Sequence, residues 1–282
     1  MIPAEFDYVA PESLDEALGA LREGGDEAKV LAGGHSLLPL MKLRLAAPSL
    51  LVDLRRVPGL SGIQRENGTV RIGAMTRHHA VATGDLGLAS AAAVTIADQQ
   101  VRNRGTLGGS LVHGDPASDM PAILLAMEGS VTVTGPGGQR EVAAADLFED
   151  FLTTAVGEAE IATEVRLPAL DGYGHGYQKF NRRQEDWAMV AVCALVKKAS
   201  DGSCEDVRIG LTNMGTVPLR ASAAEAALKG QPLDAQRIAA AAEQAAEGTD
   251  PPADLNASAE YKQHLARVLS RRALEQAAAG AA

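Results

Sequence analysis

From Ser13 to Gly25 the apolar positions recur at helical spacing, with Leu14, Ala17, Leu18 and Leu21 forming one stripe. Ser13 and Glu16 stand at capping-box separation ahead of that stripe, and Gly24-Gly25 close it, so the pattern predicts a helix. The pattern then changes. "AKVLA" (28–32) is a short apolar run read as a buried strand, and it stops at Gly33-Gly34. Ser36 is placed to cap a further helix in which Pro39 falls in the first turn. "LLVDL" (50–54) reads as another strand, and Asn67-Gly68 between alternating residues predicts a hairpin. Helices are expected over 75–82, 86–101 and "SDMPAILLAM" (118–127). A second hairpin covers "SVTVTGPGGQREV" (130–142), and "EIATEVRLP" (160–168) is a strand.

Past Gly172 the pattern alters again. "GYQKFNRR", "MVAVCALVKK" and "EDVRIGLTNM" predict long antiparallel strands, the last two joined at "SDGS". Alanine-rich helices follow from Ser222, and the terminal "AAAGAA" is expected to fray. A boundary is placed near residues 170–175.

Composition narrows the picture only in part. With 46% hydrophobic residues among 282, the chain can bury a full core, yet aromatics are only 3%, so Leu, Val, Ile and Ala must build it. A net charge of −10 argues against general affinity for nucleic acid or anionic membrane. Two cysteines, Cys193 and Cys204, make a disulfide framework unexpected and fit a reduced, cytoplasmic setting. They also exclude a four-cysteine iron–sulfur cluster held by this chain alone. Cys193, inside "AMVAVCALV", is expected to act as a buried small hydrophobe. The first residues show no signal-peptide pattern, and no run of about 18 apolar residues predicts a transmembrane segment.

The candidate chemistry lies in two glycine segments, "LAGGHSLLPLM" from Leu31 and "GTLGGSLVHGDPASD" from Gly105 to Asp119. Paired glycines let a backbone approach a ligand closely and adopt positive φ. Successive amides in such a turn can converge on an anion, and a helix starting there adds its positive end. Two backbone cradles for a diphosphate are therefore possible, whereas neither a G-x-G-x-x-G after a strand nor a P-loop is present. The plain alternative is a pair of tight turns. His78 and His79 have no carboxylate or cysteine at ligand spacing, so no metal site is expected.

At "VLAGGHSLLPLMKLRLAAPSLLVDL" and "RNRGTLGGSLVHGDPASDMPAIL" the chain resembles the flavin-binding medium subunits of molybdenum hydroxylases, the family of xanthine dehydrogenase and aerobic carbon monoxide dehydrogenase. The resemblance runs nearly end to end and includes "MIPAEFDYVAPESLDEAL", "KFNRRQEDWAMVAV" and "VPLRASAAEAAL". It implies an α+β fold: a two-subdomain PCMH-type, vanillyl-alcohol-oxidase-like FAD-binding domain over 1–172, with subdomains of about 1–55 and 56–172. A small sheet-plus-helices domain would occupy 173–282. It further implies FAD in this chain, a large partner subunit with the molybdopterin cofactor, and a small partner with 2Fe-2S clusters, as a doubled heterotrimer. Electrons would pass from those clusters through FAD to an external acceptor.

The resemblance also implies site residues. Val30, Leu31, Ala32, Gly33, Gly34, His35, Ser36 and Leu37 would hold the FAD pyrophosphate. Thr106, Gly108, Gly109 and Ser110 would hold the cofactor from the other subdomain, although Ser110 stands where the family often has asparagine. Asp115 and Asp119 would hydrogen-bond polar parts of FAD, Ala162 would touch the flavin through its backbone, and Lys179 would lie close to it. No general acid, base or nucleophile is expected. Two other readings stay open: a self-sufficient flavin oxidase with flavin bound covalently at His35, and a non-enzymatic scaffold subunit.

Overall fold

The computed structural model describes residues 2–282. The first lobe contains β1 (Asp7–Val9), α1 (Leu14–Gly24), β2 (Ala28–Leu31), α2 (Leu37–Lys42) and β3 (Leu50–Asp53). Its three strands run parallel with β3 in the centre. The predicted cap of α1 forms: Glu16 N–H donates to Ser13 Oγ at 3.2 Å, and the Glu16 carboxylate accepts from Glu12 N–H at 2.9 Å. Gly25 takes φ 59° and ends the helix. Ala17 and Leu21 then bury against Val52 and Leu54, which ties the helix stripe to the central strand.

The second lobe runs through β4 (Ile63–Glu66), β5 (Thr69–Gly73), α3 (His78–Thr83), α4 (Leu88–Ala93), α5 (Gln99–Arg102), α6 (Leu107–His113) and α7 (Asp119–Ala126). It continues through β6 (Ser130–Gly135), β7 (Gly138–Ala143), α8 (Ala144–Leu147), β8 (Phe148–Asp150), β9 (Thr153–Thr154) and β10 (Ile161–Pro168). An antiparallel sheet of order β4-β5-β10-β6-β7 carries both predicted hairpins. Ile72, Val131, Val133 and Val165 join one core with Leu107, Leu111, Ile123 and Leu124 from the helices.

Two helix expectations change here. Residues 75–77 are not helical: Arg77 bridges Thr106, and the helix begins only at His78. The predicted helix over 86–101 is broken, with Ala97 at φ 39° and Asp98 capping a new helix by accepting from Val101 N–H at 2.8 Å. An aspartate that can cap competes with continuing the helix through it.

The remaining segment forms β11 (Tyr173–Phe180), β12 (Val190–Lys198), β13 (Cys204–Thr212), β14 (Leu219–Arg220), α9 (Ser222–Leu228), α10 (Ala235–Ala242) and α11 (Ala259–Gly280). The four strands make an antiparallel meander, as the sequence predicts for the first three. Strand alternation explains why β12 reads as a continuous apolar run. Val190, Val192, Ala194 and Val196 face the C-terminal helices, while Ala191, Cys193 and Leu195 face the second lobe. Cys193 is fully buried, and burial pushes its thiol up to about 12.

The alanine-rich tail does not fray. α11 runs to Gly280, with Ala273 and Ala277 fully buried. Its backbone lies directly on Gly174 and Gly176 of β11, where any Cβ would collide with the carbonyls of Ala277 and Ala273. Small residues on both elements allow that approach, so the tail is packed by contact rather than by propensity.

Candidate cofactor site

A cleft of ≈ 610 Å³ opens where the two lobes meet and β11 closes one side. Its wall includes Val30, Ala32, Gly33, Gly34, His35, Ser36 and Leu37 from the first glycine segment, with Thr106, Gly108, Gly109 and Ser110 from the second. Asp119, Ala162 and Lys179 complete the expected set at the cleft. Leu31 and Asp115 are not part of the wall. Leu31 ends β2, and Asp115 is engaged locally, its carboxylate accepting from Ala117 N–H at 2.8 Å.

The first glycine segment is an open turn. Gly34 sits at φ 78°, a left-handed angle that glycine adopts without penalty. Gly33 has a different reason to lack a side chain: a Cβ there would lie 2.5 Å from Arg104 O and 2.7 Å from Gly105 Cα, so the two lobes touch through it. Among the described residues, the amides of Gly33, Gly34, His35, Ser36 and Leu37 find no acceptor within the chain. Ser36 does not cap α2, because its backbone is already helical (φ −103°, ψ −51°) and its hydroxyl makes no capping bond. Partial burial, and then the Arg104 guanidinium, hold the His35 pKa below its ordinary value.

The second segment is built differently. Its glycines lie inside the first turn of α6 rather than in a turn before it. Thr106 caps that turn by accepting from Gly109 N–H at 3.2 Å, and Ser110 N–H donates to Thr106 O at 3.1 Å. Leu107 N–H donates to Thr76 O at 2.9 Å and Gly108 N–H to Ala74 O at 2.8 Å. The expected second cradle of free amides is therefore absent; these amides stitch α6 to the segment after β5. Ser110 Oγ is also engaged, 2.7 Å from Ser118 Oγ. Both following helices are short, at six and seven residues, so neither brings a long dipole to the cleft.

Asp119 opens α7 and is buried, with both oxygens occupied. Tyr177 Oη donates to Oδ1 at 2.6 Å and Lys179 Nζ to Oδ2 at 3.0 Å. Desolvation raises the Asp119 pKa, while Lys179 and then Tyr177 act to hold it down. The geometry of a doubly hydrogen-bonded, lysine-paired carboxylate is that of an ion pair. The Lys179 side chain is only 5% exposed and reaches Thr95 O at 3.4 Å as well. The trio joins α7 of the second lobe to β11, so it also fixes the C-terminal sheet against the cleft.

Several wall residues have no signature in the sequence. Ile96, Ala97 and Val101 supply an apolar patch beside Gly105, and Leu152 to Thr154 form the facing rim. Glu160, paired to Arg140 Nη2 at 2.6 Å, stands at another edge. His78 lines the wall from α3. Glu185, Asp186 and Trp187 are different: they line the cleft from the loop after β11, inside the stretch "KFNRRQEDWAMVAV" that carries part of the resemblance, with Trp187 half exposed.

Comparison with known proteins agrees with this geometry. Residues 4–170 match the family model described as the FAD binding domain in molybdopterin dehydrogenase, and residues 175–277 match the CO dehydrogenase flavoprotein C-terminal domain. The carbon monoxide dehydrogenase medium chain of Hydrogenophaga pseudoflava is 42% identical, with 98% of each chain covered. The 6-hydroxypseudooxynicotine dehydrogenase complex subunit alpha of Paenarthrobacter nicotinovorans is 39% identical, covering 98% of this chain and 96% of that one. A solved carbon monoxide dehydrogenase from Hydrogenophaga pseudoflava, which lacks the Mo-pyranopterin moiety of the molybdenum cofactor, contains a chain that superposes with a TM-score of 0.97. That chain is 43% identical, and both are covered in full.

Proposed function

The chain belongs to the flavoprotein medium-chain family of molybdopterin dehydrogenases, and from that premise we propose how its cleft serves as the electron outlet of such an enzyme. It is the FAD-carrying oxidoreductase subunit of a heteromeric molybdenum hydroxylase, whose substrate is oxidised in a large partner carrying the molybdopterin cofactor. A small partner supplies electrons through 2Fe-2S clusters. The complex is a doubled heterotrimer in the cytoplasm; among the described residues no helix is long and apolar enough to cross a membrane.

The observation that carries the reading is the row of five unpaired amides from Gly33 to Leu37 on the wall of an inter-lobe cleft. Unpaired backbone N–H groups are costly unless water or a ligand accepts from them, and a diphosphate is the ligand such a row fits. The missing side chain at Gly33 lets the turn pack against Arg104 and Gly105, which sets the two lobes on either side of the cleft. The site therefore fits FAD. On this reading Val30, Ala32, Gly33, Gly34, His35, Ser36 and Leu37 hold the pyrophosphate end, and Leu31, outside the wall, supports the turn from the end of β2. Thr106, Gly108, Gly109 and Ser110 shape the opposite wall by packing rather than through amides. Residues 1–172 form the FAD-binding unit, with subdomains of about 1–55 and 56–172, and 173–282 form the medium-chain domain.

Bound FAD supplies the redox chemistry, taking up electrons and giving them to an acceptor. The chain itself binds, orients and excludes water. Lys179 keeps a positive charge at the wall, and Asp119 neutralises it without ligand help, so the pair presents a fixed dipole to the cleft. Ala162 lines the cleft from β10, at a register shift between it and Glu164 that supports a contact to the flavin through its backbone. No acid–base pair is needed for electron relay.

An absorbance spectrum of the gently purified chain tests the reading. Flavin bands that are released to the supernatant by acid support the relay. Flavin retained in the acid pellet supports covalent attachment at His35. No bands, even after adding FAD, leave only the scaffold. The two relatives of similar identity bear the names of different substrates, carbon monoxide and 6-hydroxypseudooxynicotine. The substrate is accordingly read from the large partner, by co-purification and metal analysis, and not from this chain.

A further inference from the structure

The end of α2 breaks two local rules at once. Met41 is buried, while Leu38, Pro39 and Lys42 are exposed, and the turn that follows leaves Leu43 53% and Leu45 73% exposed. Ile2, also exposed, is held beside this turn, its carbonyl accepting from Arg44 Nε at 3.4 Å. Arg44 itself sits at φ 58°, the left-handed position that glycine normally takes after a helix. Its N–H donates to Met41 O at 3.0 Å and Leu45 N–H to Leu40 O at 2.9 Å, so the strained residue is locked in place. Folding gains nothing from leucines left in water, or from an arginine where glycine is easier. Strain and exposure that the surrounding structure holds in place point to a use outside the chain.

The charge of this face identifies its partner. Between Glu27 and Asp53 the chain has no acidic residue, although it carries 36 in all and a net charge of −10; Lys29, Lys42 and Arg44 lie in that interval. Exposed Arg104, from the other lobe, meets the same segment at Gly33. Another exposed apolar spot at the cleft, Leu152 on the wall with Phe151 beside it, instead follows directly on Glu149 and Asp150. A 2Fe-2S cluster held by four thiolates is a net anion and gains a further negative charge when reduced. Electron tunnelling falls steeply with distance, so the partner that carries the cluster must abut an element of the flavin cleft. α2 is such an element, since Leu37, its first residue, lines the wall. Leucines ringed by basic side chains fit a partner face with acidic side chains around an apolar centre.

We propose that the exposed face of α2 and its closing turn, Leu38 to Leu45, is the docking surface for the 2Fe-2S partner subunit. Leu43 and Leu45 form its centre, and Lys42 and Arg44 its rim. The proposal rests on the FAD reading and places the electron-delivering partner against the first lobe.

A photo-crosslinking benzoylphenylalanine placed at Leu43 of the co-expressed, flavin-loaded holoenzyme tests this directly, with the product identified by mass spectrometry. The crosslink should join this chain to the 2Fe-2S partner. A crosslink to the large partner, to a second copy of this chain or to nothing would overturn the proposal. Leu43→Asp combined with Leu45→Asp should lower the iron recovered through a tag on this chain about tenfold, at constant flavin per chain and an unchanged melting temperature. Iron recovered as in the wild type would overturn the proposal. Arg44→Gly separates docking from folding. Relieved of the left-handed arginine, the chain should melt at the same temperature or higher, while the salt concentration that releases the 2Fe-2S partner falls. An unchanged release point would overturn the proposal. Holoenzyme that carries no flavin would remove the FAD reading together with this one; flavin-loaded holoenzyme whose crosslink leads elsewhere removes this inference alone.

Discussion

The two glycine segments look like copies of one device, yet they do opposite things with their amides. Between Gly33 and Leu37, on the cleft wall, the N–H groups find no acceptor in the chain; between Leu107 and Ser110 each N–H is taken by Thr76, Ala74 or Thr106. Glycine is needed in both, for different reasons. In the first it admits a left-handed angle and lets the lobes meet at Arg104 and Gly105. In the second it lets a helix turn lie on Ala74, since a Cβ at Gly108 would sit 2.5 Å from Ala74 Cβ. One segment is a binding surface, and the other is a joint.

That contrast breaks most visibly at Gly33. Gly33→Val should leave the purified chain without flavin, because the new side chain collides with the backbone of Arg104 and Gly105 and drives the turn away from the other lobe; full flavin content by absorbance would show that the turn is not the cradle. Next in size is Asp119→Ala at the joint. It strands a buried Lys179 ammonium and should destabilise the fold by about 3 kcal/mol in denaturant unfolding, with a smaller effect on flavin retention in the folded fraction. An unchanged midpoint would mean that the trio with Tyr177 is not an ion pair holding β11 in place.

Gly109→Ala sharpens the comparison. Its Cβ would meet Thr106 Oγ1 at 2.7 Å, so the predicted effect is loss of a helix cap, about 1 kcal/mol, with FAD affinity nearly constant. A large loss of affinity instead would restore the second segment as a cradle. The smallest effect is expected at the cleft mouth. Glu185→Lys should change electron-acceptor rates a few fold at constant flavin content, because Glu185 lines the entrance without contacting the glycine turn; rates unchanged with every acceptor would remove the loop from acceptor selection.

Much of this organisation was legible in the chain. The capping box at Ser13, both hairpins and the three long C-terminal strands follow from local pattern, because each is stabilised by neighbours close in sequence. The helix expected over 86–101 failed where Asp98 found a better use as a cap. Ser36 failed as a cap because the Leu38 N–H is already taken by Gly34 O and Pro39 has no N–H to offer its hydroxyl. His78 was read in the sequence only as a histidine without metal-ligand partners, not as part of the cleft wall. Its neighbours in sequence are ordinary, and what makes it distinctive is burial beside Gly105, 27 residues away along the chain.

The sequence alone determined where glycine interrupts the pattern, which stretches are strands or helices, and, through its resemblance, the flavoprotein family. It could not decide which glycine segment keeps its amides free, because the acceptors that satisfy the second one, Ala74 and Thr76, arrive only when the segment after β5 folds against α6. Nor could it foresee that an alanine-rich tail is anchored, since Gly174 and Gly176 lie about a hundred residues from the helix they receive. Hydrogen bonds and close contacts between distant segments decide whether a backbone group is available to a ligand, and only the tertiary structure contains them.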